Sequence, residues 1–202
     1  MQIRWKHPTI PSKHLAVLPD GKALLDRLVG QLRFFDCDVR VVYRDPAASL
    51  FANDSVLTQS DSLLEALVLQ YPYWEQGAIL IHGDTVWTDE GIRGVCHNIS
   101  PLLVWGNCAE IYAIKVNGQK SAEKLYRAAV KALDFMENWE GKPFIGWDRY
   151  WMLERGLAGQ SMNKHHNPRR LPWFAWTYGE VCDVDNVESY NNICKNWGRW
   201  RG

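Results

Sequence analysis

The sequence predicts an α/β fold: a single domain with a mainly parallel central sheet flanked by helices, of the Rossmann-like type. Short apolar runs of strand length alternate with segments of helical periodicity, and this alternation is typical of parallel sheets. The 202 residues suit one domain and are enough to bury a sizeable core. No internal repeat or low-complexity linker divides the chain, so residues 1–202 are predicted to form one domain.

Charge and cysteine content narrow the classes of function. Lys and Arg number 23, as do Asp and Glu, so bulk charge favours neither nucleic acid nor a membrane surface as a partner. No apolar run approaches the roughly 18 residues of a membrane span, and the N-terminus lacks the apolar stretch of a signal peptide. Five cysteines without a CxxC spacing predict thiols in a reducing compartment, hence a cytoplasmic protein without structural zinc.

The eleven tryptophans are unusual, and most of them follow Asn138. They either serve as large core and surface side chains, since Trp is usually well buried, or form the wall of an aromatic substrate pocket. Trp147 and the adjacent Asp148 are the candidate substrate-binding residues of this region.

The elements of the first half follow from the spacing of apolar residues. Leucines on one helical face predict a helix after Gly21, and a β-branched run predicts a strand stopped by Asp45-Pro46. In order, we predict an irregular segment 1–20, that helix, a strand at Val39–Tyr43, a loop at 46–58, a helix from the capping box at Ser62 through Leu69, and a buried strand at Ala78–His82.

The second half continues the same alternation. In order, we predict a short helix near Thr88, strands at 102–104 and 109–116, a helix from its N-cap Ser121 to Asn138, a helix at 147–157, a loop at 158–172, a strand at 181–184 and a helix from Val187 to about Lys195 capped by Asn186.

Three segments carry residues suited to chemistry. Asp84 follows a buried strand and a glycine, at the sheet edge where α/β proteins bind ligands, and it either holds Mg²⁺ or caps the next turn. Asp185 also lies between a strand and a helix, where helix capping is the simpler interpretation. Lys13, in a Pro-containing loop before Gly21-Lys22, either reaches a phosphate or is a solvated surface lysine.

Taken together, these segments resemble in order and spacing the sugar-phosphate and choline-phosphate nucleotidyltransferases, whose fold GT-A glycosyltransferases share. The resemblance spans nearly the whole chain. The matching residues are Pro11, Lys13, Leu15, Gly21, Lys22, Leu24 and Leu25, then Ser62, Leu63 and Ala66, then Gly83-Asp84, and finally the run from Asp183 to Tyr190.

One part of that family's pattern is missing from this sequence. The first strand and the Gly-rich loop, whose backbone amides would contact phosphates, are not present, and Arg4 stands about where the arginine of that loop would be. We expect one of three explanations for the missing part: a start codon placed too late, a natural truncation with lost activity, or a rebuilt N-terminus. In a folded chain, either residues 1–5 form a short strand or Val39–Tyr43 pairs directly with Ala78–His82.

The resemblance implies a magnesium-dependent reaction. A phosphorylated sugar or alcohol would attack the α-phosphate of a nucleoside triphosphate, and pyrophosphate would leave. Asp84 and Asp185 would hold Mg²⁺ and would therefore face each other in one cleft, while Lys13 and Arg4 would neutralise phosphates. Lys115 is a further substrate-binding candidate, with a solvent-facing strand lysine as the simpler alternative.

Two other functions are possible on this fold. A nucleotide-sugar glycosyltransferase usually carries a D-x-D motif at the central strand end, which Gly83-Asp84-Thr85 lacks. A non-catalytic binding module could instead use the basic cluster at 164–170 for a polyanionic partner, although a solvated loop is the simpler account.

Overall fold

The computed structural model describes residues 9–10, 12–43, 46–51, 53–58, 63–74, 77–107, 111–138, 174–177 and 179–200. The chain groups into two compact units. The first unit comprises Met1–Gln59, His82–Asn98 and Thr177–Gly202, and the second comprises Ser60–Ile81 and Ile99–Trp176. The predicted single-domain organisation of residues 1–202 stays a prediction.

Helices and strands alternate along the described residues. In chain order they are α1 (Leu24–Phe34), β1 (Arg40–Tyr43), β2 (Asp54–Leu57), α2 (Leu63–Gln70), β3 (Ala78–Ile81), β4 (Thr85–Trp87), α3 (Asp89–His97), β5 (Leu102–Gly106), β6 (Ile111–Val116), α4 (Gln119–Glu137), β7 (Phe174–Trp176), β8 (Val181–Asp183) and α5 (Val187–Lys195). Short 3-10 turns lie at Lys13–Leu15, Pro46–Phe51, Tyr71–Tyr73 and Trp197–Trp200. None of the described helices is long and apolar enough to cross a membrane.

Helix α1 forms because its leucines repeat at helical spacing on one face. Leu24, Leu25 and Leu28 are all buried, as the sequence predicts. The helix ends at Phe34, and two residues later Asp36 adopts a left-handed backbone with φ at 56°. The amide of Asp36 donates to the Arg33 carbonyl and the amide of Cys37 to the Leu32 carbonyl. These two bonds form a Schellman motif, which satisfies the last carbonyls of the helix.

A two-stranded antiparallel ladder lies at the centre of the first unit. Strand β4 pairs with β8, with Thr85 opposite Asp183 and Trp87 opposite Val181. Trp87 is fully buried, and its indole N–H donates to the Thr85 hydroxyl over 2.9 Å. The apolar residues around the ladder form one core cluster with the end of the chain: Ala16, Leu18, Leu24, Val86, Val184, Ile193, Trp197 and Trp200.

Arg27 of α1 contacts several parts of this cluster at once. Its guanidinium donates to the Trp200 carbonyl over 2.6 Å and to the Asp20 carboxylate over 3.0 Å, and it lies 5.0 Å from the centre of the Trp197 ring. A planar guanidinium can form several such bonds at once, so one residue connects α1, the loop before it and the last 3-10 turn.

The second unit contains a four-stranded sheet in the order β3-β6-β5-β7. Strands β3 and β5 run antiparallel to β6, and β7 runs parallel to β5. Helices α2 and α4 contribute the other half of its core. The residues predicted to point inward from α4 include Leu125, Ala129 and Ala132, and all three are fully buried.

The α/β class is confirmed, but the sheets are mixed rather than mainly parallel. Among the described pairings, β1–β2 and β5–β7 are parallel, whereas β3–β6, β5–β6 and β4–β8 are antiparallel. Apolar alternation reports that a strand is buried, not the direction of its neighbour, so the sequence did not reveal this difference.

Several element boundaries also differ from the prediction. The segment 46–58, predicted as a loop, contains β2, and the short strands β4 and β7 were not predicted. Helix α4 begins at Gln119, so Ser121 is not its N-cap. Helix α3 begins as predicted, with the Thr88 hydroxyl accepting from the Gly91 amide over 3.1 Å. Ser62, residues 147–157 and the cluster at 164–170 lie outside the described residues.

The strand pairings test the two arrangements predicted for a chain that lacks the family's first strand. Among the described residues, β1 pairs with β2, and β3 pairs with β6. The described residues therefore do not contain the direct pairing of Val39–Tyr43 with Ala78–His82. The other alternative, a short strand at residues 1–5, lies outside them.

Replacing Asn186 by Ala should destabilise the protein by about 1 kcal/mol, a usual cost of losing an N-cap. The Asn186 side chain accepts from the Ser189 amide over 2.9 Å, and the Ser189 hydroxyl accepts from the Asn186 amide over 3.2 Å. Urea unfolding followed by circular dichroism measures the loss.

The matched control is Asn191→Ala, an exposed position within the same helix. Alanine is the better helix former there, so this variant should be as stable as the parent or slightly more so. Equal losses in the two variants would mean that the capping box does not stabilise α5.

Candidate functional site

The loop that carries Lys13 is fastened to the start of α1. Lys13 begins a 3-10 turn, in which the Ala16 amide donates to the Lys13 carbonyl over 3.1 Å. The Leu24 amide then donates to the Ala16 carbonyl over 2.9 Å, and Ala16 itself is fully buried. Gly21, with φ at 82°, makes the intervening turn that a residue with a Cβ would strain. The backbone of Lys13 is thus held by the core of the first unit.

The β4–β8 ladder brings two carboxylates to the same place. Asp84 immediately precedes β4, and Asp185 follows β8 by two residues. Beyond the last pair of the ladder, the Val184 amide donates to the Asp84 carbonyl over 2.8 Å. Antiparallel strands place the beginning of one beside the end of the other, so Asp84 and Asp185 become neighbours although they are far apart in sequence.

Lys13 lies between these two carboxylates. Its ammonium forms an ion pair with the Asp84 carboxylate, and its Nζ lies 4.0 Å from Oδ1 of Asp185. The side chains of Lys13 and Asp84 retain only 14% and 21% of their exposure, so water screens their attraction weakly. The predicted proximity of Asp84 and Asp185 is therefore present, with a lysine ammonium as their shared cation.

Burial and charge compete at this site. Burial by itself favours the neutral form of Lys13, but the nearby carboxylates, with Asp84 foremost, outweigh it and raise the pKa of Lys13. Burial likewise favours the neutral form of Asp84, but the attraction of Lys13 and its hydrogen bond leave the pKa of Asp84 below its usual value of 3.8. Both groups are charged at neutral pH because each stabilises the other.

Two histidines that the sequence analysis did not select surround Asp84. Nδ1 of His82 lies 3.8 Å from Oδ1 of Asp84, and Nδ1 of His14 lies 3.3 Å from the Gly83 carbonyl, to which it donates when protonated. Burial, reinforced by Lys13 and opposed by Asp84, lowers the pKa of His82. His14 is adjacent to Lys13, and His82 is separated from Asp84 by Gly83 alone. This closeness in sequence is the signal that could have pointed to the two histidines.

The donor atoms of this site suit magnesium. Mg²⁺ prefers oxygen ligands and is usually held by one or two carboxylates, with water and phosphate completing its shell. Asp84 and Asp185 supply such oxygens, and both already converge on a positive charge. Within the described ranges there is no group of three or more His, Cys, Asp or Glu side chains placed to hold a metal ion. Any Mg²⁺ held by Asp84 and Asp185 would take its remaining ligands from water or phosphate.

The other predicted site residues are Lys115 and three residues that the structure does not describe. Lys115 lies in β6 of the second unit, opposite Ile79 on one side and Leu103 on the other. It is only 7% exposed, so the alternative of a solvent-facing strand lysine is wrong. Arg4, Trp147 and Asp148 lie outside the described residues. Their predicted roles stay predictions.

Comparison with known proteins bears on the fold. No protein-family model matches the chain, and no curated protein matches it. Among solved structures, the chain resembles HddC from Yersinia pseudotuberculosis, which was crystallised in complex with GMP-PN. The TM-score is 0.51 at 13% sequence identity, and the alignment covers 96% of this chain and 95% of that chain. At this identity the likeness bears on the fold alone, which resembles that of HddC.

Proposed function

We propose that this chain is a magnesium-dependent enzyme of the nucleotidyltransferase type. It would transfer a nucleotidyl group from a nucleoside triphosphate to a phosphorylated sugar or alcohol, with release of pyrophosphate. The observation that carries the proposal is the convergence of Lys13, Asp84 and Asp185, brought together from three separate segments of the first unit. Capping of a turn or a helix would not explain why two aspartates so far apart in sequence share one lysine.

The charges of this cluster suit a triphosphate with its metal. Two carboxylates and one ammonium leave a net negative charge, which favours a divalent cation. When bound, Mg²⁺ neutralises phosphate oxygens and stabilises the charge that develops on them during transfer. Asp84 and Asp185 would hold the metal. The ammonium of Lys13 would then exchange its contact with Asp84 for one with a phosphate oxygen, for which the long lysine side chain has the necessary freedom.

The nature of the ligand rests on two supports. HddC, the protein of similar fold, was crystallised with the nucleotide GMP-PN, which supports a nucleotide as the ligand. The sequence resemblance supports a phosphorylated sugar or alcohol as the acceptor. Lys115, Trp147 and Asp148 are proposed to bind substrate, and Arg4 is proposed to assist Lys13 at the phosphates. Such a site works mainly by positioning the reactants and stabilising charge.

Replacing Asp84 by Asn should abolish magnesium-dependent nucleotide binding while the protein stays folded. The amide keeps the size of the side chain but loses the charge that attracts the cation. A thermal-shift screen of nucleoside triphosphates and nucleotide sugars, each with and without Mg²⁺, measures binding because a ligand of the folded state raises the melting temperature. The shift produced by the best ligand with Mg²⁺ should vanish in Asp84→Asn.

The control for this variant is Asp38→Asn, which removes the same charge at an exposed position outside the cluster. It should retain the full ligand shift. An undiminished shift in Asp84→Asn would contradict a metal role for this carboxylate. A ligand shift without release of pyrophosphate would favour the binding-module alternative, and a preference for nucleotide sugars would favour a glycosyltransferase.

Replacing Lys13 by Met should destabilise the ligand-free protein in a pH-dependent manner. At neutral pH the loss should be roughly 1.5–3 kcal/mol, the range for a hydrogen bond to a charged group, because Asp84 would stay buried without its cation. The ion pair lowers the pKa of Asp84, so its contribution is complete above pH 3.8 and is lost as the pH falls through the lower value of the folded state. The deficit of Lys13→Met should therefore shrink below about pH 4.

Urea unfolding at several pH values between neutral and acid measures this deficit. Lys22→Met removes an exposed lysine from the same loop region and serves as the control, which should show little loss at any pH. A deficit of Lys13→Met that stays constant down to pH 3 would show that Lys13 stabilises the protein through packing rather than through its charge.

A further inference from the structure

Two cysteine thiols in the first unit lie in contact. The Sγ atoms of Cys37 and Cys96 are 3.7 Å apart, and both residues are half-buried. A disulfide bond is about 2.05 Å long, so the sulfurs must approach by roughly 1.7 Å, a distance that side-chain rotation and a small shift of the helices can provide. The two residues are 59 positions apart in sequence, so only the fold brings them together.

The backbone around both cysteines is well held. Cys37 is the last residue of the Schellman motif that ends α1, where its amide bonds to the Leu32 carbonyl. Cys96 lies in the last turn of α3, next to His97. The rings of Phe35 and His97 meet edge to face with centres 5.5 Å apart, which is a second contact between the same two helix ends. The thiols therefore meet because two packed helices end side by side, not because a mobile loop passes another.

We propose that Cys37 and Cys96 form a redox modification site, a dithiol that closes into a reversible disulfide between α1 and α3. The oxidant would be a low-molecular-weight disulfide such as oxidised glutathione. The thiolate of one cysteine attacks a sulfur of that disulfide, which breaks the S–S bond and releases one thiol, with the proton going to the leaving sulfur. The second cysteine then attacks the protein sulfur of the mixed disulfide, forms the Cys37–Cys96 bond and releases the second thiol. The protein loses two electrons and two protons, and the oxidant gains both.

The closed disulfide would stabilise the unit that carries Lys13, Asp84 and Asp185. A crosslink across so long a loop restricts the unfolded chain strongly, whereas the folded chain already holds the two sulfurs in contact. Both cysteines are only half-buried, so a small disulfide has access to the pair. The contact between the two sulfurs favours a bond within one chain over disulfide formation between two copies.

The test equilibrates the full chain in glutathione buffers of increasing oxidation, blocks the remaining thiols and maps the linked peptides by mass spectrometry. We expect one intramolecular link, between Cys37 and Cys96, with a mass loss of two hydrogens. The melting temperature of the oxidised protein should rise by roughly 5–10 °C, and dithiothreitol should reverse both changes.

Variants separate this site from general thiol oxidation. Cys37→Ser and Cys96→Ser should each abolish the link and the rise in melting temperature and should instead retain bound glutathione on the remaining cysteine of the pair. Cys194→Ser should keep both effects. Peptide mapping of the oxidised parent protein, which carries no substitution, decides the question even where a variant fails to fold. In the parent protein, glutathione adducts that persist on Cys37 or Cys96 without the crosslink would overturn the proposal. A crosslink that lowers the melting temperature would also overturn it.

Discussion

The antiparallel pairing of β4 with β8 is the constraint on which the candidate site depends. Asp84 precedes one strand and Asp185 follows the other, and neither would meet the other without the ladder between them. The bond from the Val184 amide to the Asp84 carbonyl extends the pairing one step further, to the residues that carry the charge. Val86 and Trp87 are buried in the core and fix the position of β4, so apolar packing helps to place the Asp84 carboxylate at its end.

The ion pair of Lys13 with Asp84 shows how such a site is stabilised before a ligand arrives. An isolated buried carboxylate would take up a proton or destabilise the fold, and a nearby ammonium removes that cost. The same ammonium is a mobile point charge that a phosphate can attract. The arrangement therefore stabilises the folded protein without ligand, and under the proposed function both carboxylates would exchange the ammonium for Mg²⁺.

Apolar patterns in the sequence predict which faces of helices and strands are buried, but they predict neither strand direction nor very short strands. In the second unit, the inward face of α4 and the strand at β6 were predicted from apolar spacing because a helix or strand that buries one face must repeat with its own period. The direction of β3 relative to β6 was not predicted, since neighbouring strands bury the same residue types in either orientation. Strands β4 and β7, three residues each, are too short to show a period at all.

The sequence by itself determined the α/β class, the helix start near Thr88, the helix cap at Asn186, and the choice of Lys13, Asp84 and Asp185 as residues of interest. These features are local, or depend on the order of short motifs, so they can be read from neighbouring residues. Only the tertiary structure decided that one lysine lies between both aspartates, that Lys115 is buried, and that Cys37 meets Cys96. Such contacts join distant segments through strand pairing and helix packing, which no local pattern in the sequence specifies.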